Sequence, residues 1–338
     1  MNKLTKIGAS ALCGSLAAVS AANAGSLSVT GGVDMSWISL PKQNVGNPIG
    51  IGSNLTFSGS GEMDNGWTVA LSVADTNAAV YSNTNVTVTI PGLGDIRIDQ
   101  GTSGTGIDRI DDATPNAWEE AYGTGLAGGP DTVSGVSGGT NIEFTPSMTP
   151  DGLTARIEWS PDAGGSNAGD KGSAQSSGST LHSGWSAMLE ATSAVTGMEG
   201  LTLYGGLARI DQFVNDAAIN DDKSEWTVGA KYAVGGFTLG YQYSKEDTGR
   251  ATTNTEYQND GYGITFAIND DLSIGYNNYK STQKSTTNTE LEASSVQIAY
   301  SAGGLSIRLA DATIDNQNYQ TGTANSRDAT TLSVALAF

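Results

Sequence analysis

Residues 226–243 read WTVGAKYAVGGFTLGYQY, and this stretch decides the fold. Trp226, Val228, Ala230, Tyr232 and Val234 share one parity, while Thr227, Gly229, Lys231 and Ala233 share the other. Gly235-Gly236 interrupts the pattern, which then resumes as Phe237, Leu239, Tyr241 and Tyr243 with Thr238, Gly240 and Gln242 between them. A period of two is that of a β-strand with unlike faces. Two glycines between such runs predict a tight hairpin. One face of the hairpin is large and apolar; the other is small, polar and carries a lysine. The small face offers too little volume to pack a solid core.

The same alternation runs in both directions from this hairpin. Leu27, Val29, Val33, Met35 and Trp37 open the series, and Leu55 and Phe57 follow. Trp67, Val69, Leu71 and Val73 return after the turn signal Met63-Asp64-Asn65-Gly66. Val86, Val88 and Ile90 precede Ile96 and Ile98; Ile142 and Phe144 precede Leu153, Ala155, Ile157 and Trp159. Trp185, Ala187 and Leu189 pair with Leu201, Leu203 and Leu207. Beyond the hairpin come Tyr262 to Ile268, Leu272 to Tyr276, Val296 to Tyr300, Leu305 to Leu309 and Leu332 to Phe338. The total is about sixteen strands, an even number within the range of bacterial outer-membrane barrels. Brief turns near Asp64, Gly92, Met148, Gly197, Gly235, Asp270 and Gly303 alternate with longer polar loops such as 160–183, 211–223 and 244–257. Trp37, Trp67, Trp159, Trp185, Trp226, Tyr243, Tyr262 and Tyr276 sit near strand ends, where amphipathic rings suit a membrane interface. A sandwich core is the other place for such rings.

Met1 to Lys6 is basic, Ile7 to Ser20 is mildly apolar, and Ala22-Asn23-Ala24 is a small-x-small cleavage pattern. Residues 1–24 therefore read as a cleaved secretory signal and 25–338 as the folded domain. Cys13 falls within the signal, so the remaining chain has no thiol for disulfides or metal. Removing Lys3 and Lys6 leaves 14 basic against 35 acidic residues, a net charge of −21. That field repels phosphate backbones, and no nucleic acid is expected as a partner.

No stretch after the signal approaches the ~18 consecutive apolar residues of a membrane helix. A closed barrel crosses a bilayer differently, satisfying every backbone group between strands with only one greasy face per strand. The expected fold is all-β: a transmembrane antiparallel up-and-down β-barrel with short periplasmic turns and long extracellular loops. A soluble β-sandwich is the competing class, separable by detergent dependence and heat-modifiable gel migration.

Several segments resemble the general porins of Gram-negative bacteria, especially the alphaproteobacterial type. They are Leu55-Thr-Phe-Ser-Gly59 through Met63-Asp-Asn-Gly-Trp-Thr-Val-Ala-Leu71; Gly94-Asp-Ile-Arg-Ile-Asp-Gln-Gly101; Gly139-Thr-Asn-Ile-Glu-Phe-Thr-Pro146 with Gly152-Leu-Thr-Ala155; and the terminal Ala335-Leu-Ala-Phe338. The resemblance covers the mature chain in order and spacing. It implies an outer-membrane diffusion channel, a homotrimer, surroundings of lipid and lipopolysaccharide, and recognition of Phe338 by the barrel-assembly machinery. It also implies that the third loop folds inward. Two departures stand out: the loop lacks the acidic Pro-Glu-Phe-type signature of enterobacterial members, and the family's clustered wall arginines are sparse.

Residues 102–137 occupy the position of that loop and are the longest stretch without clean alternation. They carry Asp108, Asp111, Asp112, Glu119, Glu120 and Asp131 against Arg109 alone. Some of these carboxylates are expected to line the constriction, a solvated outer loop being the other reading. A short helical turn is expected between Asp111 and Tyr122, with Pro115 near its start. Parity assigns Arg97, Arg156, Lys231 and Arg308 to the wall opposing the loop acids, together with Asp99, Glu143, Glu158 and Glu190. Opposite charges across a narrow passage would set up a transverse field. A cation facing lipid near the midplane costs about 2–4 kcal/mol. The expected function is passive diffusion of small hydrophilic solutes and ions with a mild preference for cations. The alternative is a structural or adhesive barrel without an open pore.

Other chemistry finds less support. Gly123-Thr-Gly-Leu-Ala-Gly128 matches GxGxxG, but no buried strand leads into it. His182 is the only histidine and is expected in a Ser/Gly-rich loop, which speaks against a hydrolytic triad. No enzyme activity or cofactor is expected. Loop-bound calcium at Asn220-Asp221-Asp222 or Asp270-Asp271 is weighed against ordinary solvated turns, and the turns are preferred.

Overall fold

The computed structural model describes residues 25–41, 46–76, 79–101, 104–164, 180–213 and 218–337. The signal segment 1–24 and Phe338 lie outside the described residues. Among the described residues sixteen strands are formed. The first eight are β1 (Leu27–Ser39), β2 (Ile49–Glu62), β3 (Thr68–Thr76), β4 (Ala79–Ile90), β5 (Gly94–Asp99), β6 (Asn141–Pro146), β7 (Leu153–Ser160) and β8 (Leu181–Ala191). The second eight are β9 (Leu201–Gln212), β10 (Lys223–Val234), β11 (Phe237–Asp247), β12 (Glu256–Ala267), β13 (Leu272–Lys284), β14 (Thr289–Ala302), β15 (Leu305–Asp315) and β16 (Arg327–Ala337). Each pairs with its neighbours in the chain, and β1 pairs antiparallel with β16 from Gly32↔Ala337 to Ser39↔Thr330, so the sheet closes on itself.

The hairpin of β10 and β11 shows why these residues take this shape. Val234 faces Phe237, Ala230 faces Tyr241 and Val228 faces Tyr243. Gly235 and Gly236 turn the chain at φ +56° and +87°. Positive φ at both central positions is the tight-hairpin geometry that a side chain disfavours. The apolar parity then points outward: Val228, Leu239, Tyr241, Val296, Ile298 and Leu309 are all exposed. Such a continuous apolar exterior has no place in water and is what a lipid-facing band requires. Cross-strand aromatic pairs edge the band, with Phe237 and Phe266 at 4.4 Å and Trp226 and Tyr243 at 5.3 Å between ring centroids. Among the described residues no helix is long and apolar enough to cross a membrane.

Loop lengths depart from simple alternation. Only residues 77–78 separate β3 from β4, and only 285–288 separate β13 from β14. β4 starts well before Val86 because the polar run Asn83 to Asn85 pairs with Ala74 to Ser72 of β3. In an antiparallel ladder the backbone supplies the bonds, so polar side chains on a wetted face do not stop it. For the same reason β11 runs to Asp247 and β12 starts at Glu256, shortening the expected 244–257 loop. His182 belongs to strand β8, its ring 3.5 Å from that of Phe213.

Candidate functional site

The inward parity is small and polar, and it meets the longest connection, between β5 and β6. That segment begins with Thr105 Oγ1 donating to Glu158 on β7 at 2.5 Å and Ile107 N donating to Ser186 Oγ on β8 at 3.2 Å. Glu143 on β6 accepts from Gly106 N at 2.7 Å and from both ends of the Arg109 guanidinium at 2.7 and 3.0 Å. Gly106–Ile110 is a short 3-10 helix with Ile107 and Ile110 buried. The helical turn therefore lies before Asp111, not between Asp111 and Tyr122. The reason is the docking of Ile107 and Ile110 beside Met188 and Tyr204 of the wall, whereas Thr114 is held by the Tyr279 hydroxyl and Pro115 lies against Gly240 and Gly263.

The chain then crosses the inner wall. Gln242 on β11 donates to Ile110 O at 2.6 Å, and Tyr279 on β13 bonds the Thr114 hydroxyl. Trp118 N donates to Gln297 Oε1 on β14 at 2.8 Å, and Asn277 on β13 donates to Glu119 O at 3.0 Å. Thr331 on β16 donates to Thr124 O at 2.7 Å, which places the GxGxxG segment as a turn held by the wall. The segment returns nearer the long-loop rim: Asn259 on β12 donates to Asp131 O at 2.8 Å, and Glu225 on β10 accepts from Ser134 N and Gly135 N at 2.9 and 2.6 Å. Backbone groups that a loop normally leaves to water are thus satisfied by wall side chains.

Coverage of the wall is one-sided. Inward residues beneath the loop are buried, including Ser186, Asn277 and Gln297, each 0% exposed. Inward residues Ser28, Thr30 and Asn54 of β1 and β2 stay exposed. The loop thus leaves the inner face of β1 and β2 uncovered at these positions.

The expected acidic residues fall on the crossing pass. Asp111 and Asp112 are adjacent, and the Tyr122 hydroxyl donates to Asp112 at 3.2 Å. Asn116 donates to Glu120 at 2.9 Å, with Glu119 next to it. Gly104 N donates to Asp108. Burial, then the charge of Asp112, pushes Asp111 up to about 8. Burial, then the hydrogen bond with Glu119, pushes Glu120 up to about 9. Burial likewise raises Asp108 and Asp112.

The four inward cations do not form one row facing these acids. Arg97 on β5 pairs with Asp99 at 2.5 Å. Arg156 on β7 bonds Glu143 at 3.3 Å and Thr145 at 2.9 Å, joining Arg109 at the foot of the loop. Lys231 on β10 lies 5.5 Å from the ring centre of Tyr204, whose hydroxyl bonds Ala113 O at 3.3 Å. Arg308 on β15 stands apart, 3.4 Å from Asp34. Among the described residues no three His, Cys, Asp or Glu side chains come together as a metal site. Asp222 is taken up by Arg209 at 2.8 Å, and the 269–272 turn is closed by Asn269 accepting from Asp271 N and Leu272 N.

Sequence reasoning missed the residues that hold the loop: Glu225, Gln242, Asn277, Tyr279 and Gln297. The available signal was long amide and acidic side chains at inward positions next to inward glycines.

Similar architectures are known. OmpF of Salmonella typhi, solved in complex with daunomycin, matches with a TM-score of 0.69 and 12% identity over 94% of this chain and 98% of that one. In-vitro-folded OmpT, an outer membrane protein of Vibrio cholerae, matches at 0.65 and 11% over 93% and 98%. A mutant of the Rh. blastica porin matches at 0.59 and 14% over 93% and 100%. At these identities the likeness is one of fold. No curated protein matches in sequence. The family model described as Gram-negative porin matches residues 8–336. The chain belongs to the Gram-negative porins, the channel-forming barrels of the bacterial outer membrane.

Proposed function

We propose that the protein is a passive diffusion channel for small hydrophilic solutes and ions, with a mild preference for cations. The observation that carries this reading is the asymmetry of the lumen. An acidic loop segment covers one wall, small hydroxyl and amide side chains stay exposed on the other, and most inward cations are tied to carboxylates. Asp108, Asp111, Asp112, Glu119 and Glu120 form the acidic side of the constriction, and Asp111 and Glu120 add their negative charge as pH rises through about 8 and about 9. Arg308 faces the lumen from β15, Arg156 supports the loop's foot through Glu143, Arg97 pairs with Asp99 on its own strand, and Lys231 lies over the Tyr204 ring. Charge fixed beside a narrow aqueous path raises the local concentration of the opposite ion. Short turns face the periplasm and long loops the exterior, and the resemblance to general porins extends the reading to a homotrimer. No catalytic step belongs to it.

The test is reconstitution of the purified protein in planar bilayers. Discrete conductance steps, and a reversal potential of cation-preferring sign in a potassium chloride gradient, are expected. Absence of steps would leave a plugged structural barrel. Anion preference would remove the role given to the loop acids.

A further inference from the structure

Strand interiors disfavour glycine, yet the inward face beneath the loop holds it on β9 at Gly206 and on the three adjacent strands β11, β12 and β13 at Gly240, Gly263 and Gly275. None of these four has the positive φ that would demand glycine. Close approach explains them instead. A Cβ on Gly263 would lie 2.0 Å from the carbonyl oxygen of Pro115, and one on Gly240 would lie 2.3 Å from Pro115 Cδ and 2.9 Å from its Cγ. A Cβ on Gly275 would meet Ala117 N at 3.0 Å, and one on Gly206 would meet Ile107 Cγ1 at 2.9 Å. Gly240 and Gly263 face each other in register, so Pro115 sits on a patch of bare backbone two strands wide.

We infer that Gly240 and Gly263 are specificity-determining residues of the channel. By lacking a side chain they let the acidic loop lie directly on the wall, and this depth sets the width left to the lumen. A Cβ at either position moves the loop toward the lumen. At Gly263 the obstacle is the loop backbone, which no rotamer change relieves. At Gly240 it is the proline ring, a removable group. The inference rests on the diffusion-channel reading above.

The experiment measures single-channel conductance of the full-length protein and its variants in planar bilayers. Gly240→Ala lowers conductance by roughly a third, and Gly263→Ala by at least as much, since a constricted passage is sensitive to small displacements of its lining. Liposome swelling with saccharides of increasing size shows a smaller cut-off for both. Gly61→Ala, whose Cβ would meet nothing within 4 Å, keeps the wild-type value. Pro115→Ala removes the ring, so Gly240→Ala with Pro115→Ala conducts like Pro115→Ala alone. Gly263→Ala with Pro115→Ala stays low, because the carbonyl remains. Wild-type conductance in both glycine variants, or equal rescue of both by Pro115→Ala, overturns the inference. Folding is followed by heat-modifiable migration. Should Gly263→Ala fail to fold, the Gly240 and Pro115 pair decides alone. A wild-type protein that forms no channel would instead defeat the diffusion reading before any variant is compared.

Discussion

Glu143 shows how much rests on one inward carboxylate. It is buried, and it collects Arg109, Arg156 and the Gly106 amide at the point where the loop leaves the wall. Removing one partner of such a pair leaves charge without compensation, although both arginines keep some contact with water. Glu143→Gln is expected to lower barrel stability by about 2 kcal/mol, less than a fully buried pair would lose. Denaturant unfolding in detergent measures it, and single-channel records are expected to show more frequent flicker as the loop foot loosens. The loop acids behave differently. Asp111 and Glu120 hold protons at neutral pH and release them as pH rises through about 8 and about 9. The groups around them are Asp108, Asp112, Glu119 and the hydroxyls of Tyr122 and Tyr279. The folded protein binds these protons more tightly than the unfolded chain does, so ionisation adds negative charge to the lumen and removes stability as pH rises. Cation preference is expected to grow between about pH 7 and about pH 10, as the coupled carboxyls titrate. Reversal potentials measured across that range check it. A flat profile in the wild type, or an unchanged rise in the double variant Asp111→Asn with Glu120→Gln, would contradict it.

At the scale of the strand, alternation settles both orientation and energy. Leu239 points outward from β11 between Tyr232 and Ile264, while its neighbours Thr238 and Gly240 point inward. Leu239→Arg places a cation in the apolar band and is expected to destabilise the barrel by about 2–4 kcal/mol. Thr238→Lys, one residue away and facing the lumen, is expected to change stability by less than about 0.5 kcal/mol. Equal effects in a detergent or vesicle unfolding series would mean that the two faces are not distinguished. This is also why the strands were legible in the sequence. A side chain's face follows from its rank in the strand, so Trp226 to Tyr243 announces its geometry without reference to anything distant. The loop obeys no such local rule. Its conformation comes from partners far along the chain, such as Gln242 for Ile110 and Gln297 for Trp118. Rank assigned these wall residues to the lumen but not to the loop. Position and acidic content of the segment were readable; the helix at Gly106–Ile110 and the seat of Pro115 depend on which wall residues lack side chains.

Across the whole molecule, charge and shape are unequally shared. The loop covers the inner face from β7 round to β16 and reaches Ile38 at the end of β1, while Ser28, Thr30 and Asn54 of β1 and β2 stay uncovered. Carboxylates outnumber basic groups along the chain, with a formal net charge of −19. Most inward cations are already paired with carboxylates at contact distance, so what an entering ion meets is a surplus of negative charge on one side of the passage. Such a field acts through water as well as through contacts, and salt therefore controls its reach. The Debye length falls from about 10 Å at 0.1 M to about 3 Å at 1 M. A selectivity that arises from the summed field must weaken across that range, whereas one that arises from a tight coordinating ring would persist. The ratio of potassium to chloride permeability is therefore expected to be several-fold at about 0.1 M and to approach unity near 1 M. Reversal potentials at a fixed gradient and rising mean concentration measure this directly. A ratio independent of salt would locate selectivity in a contact site rather than in the lumen field, and the loop acids would lose the role assigned to them.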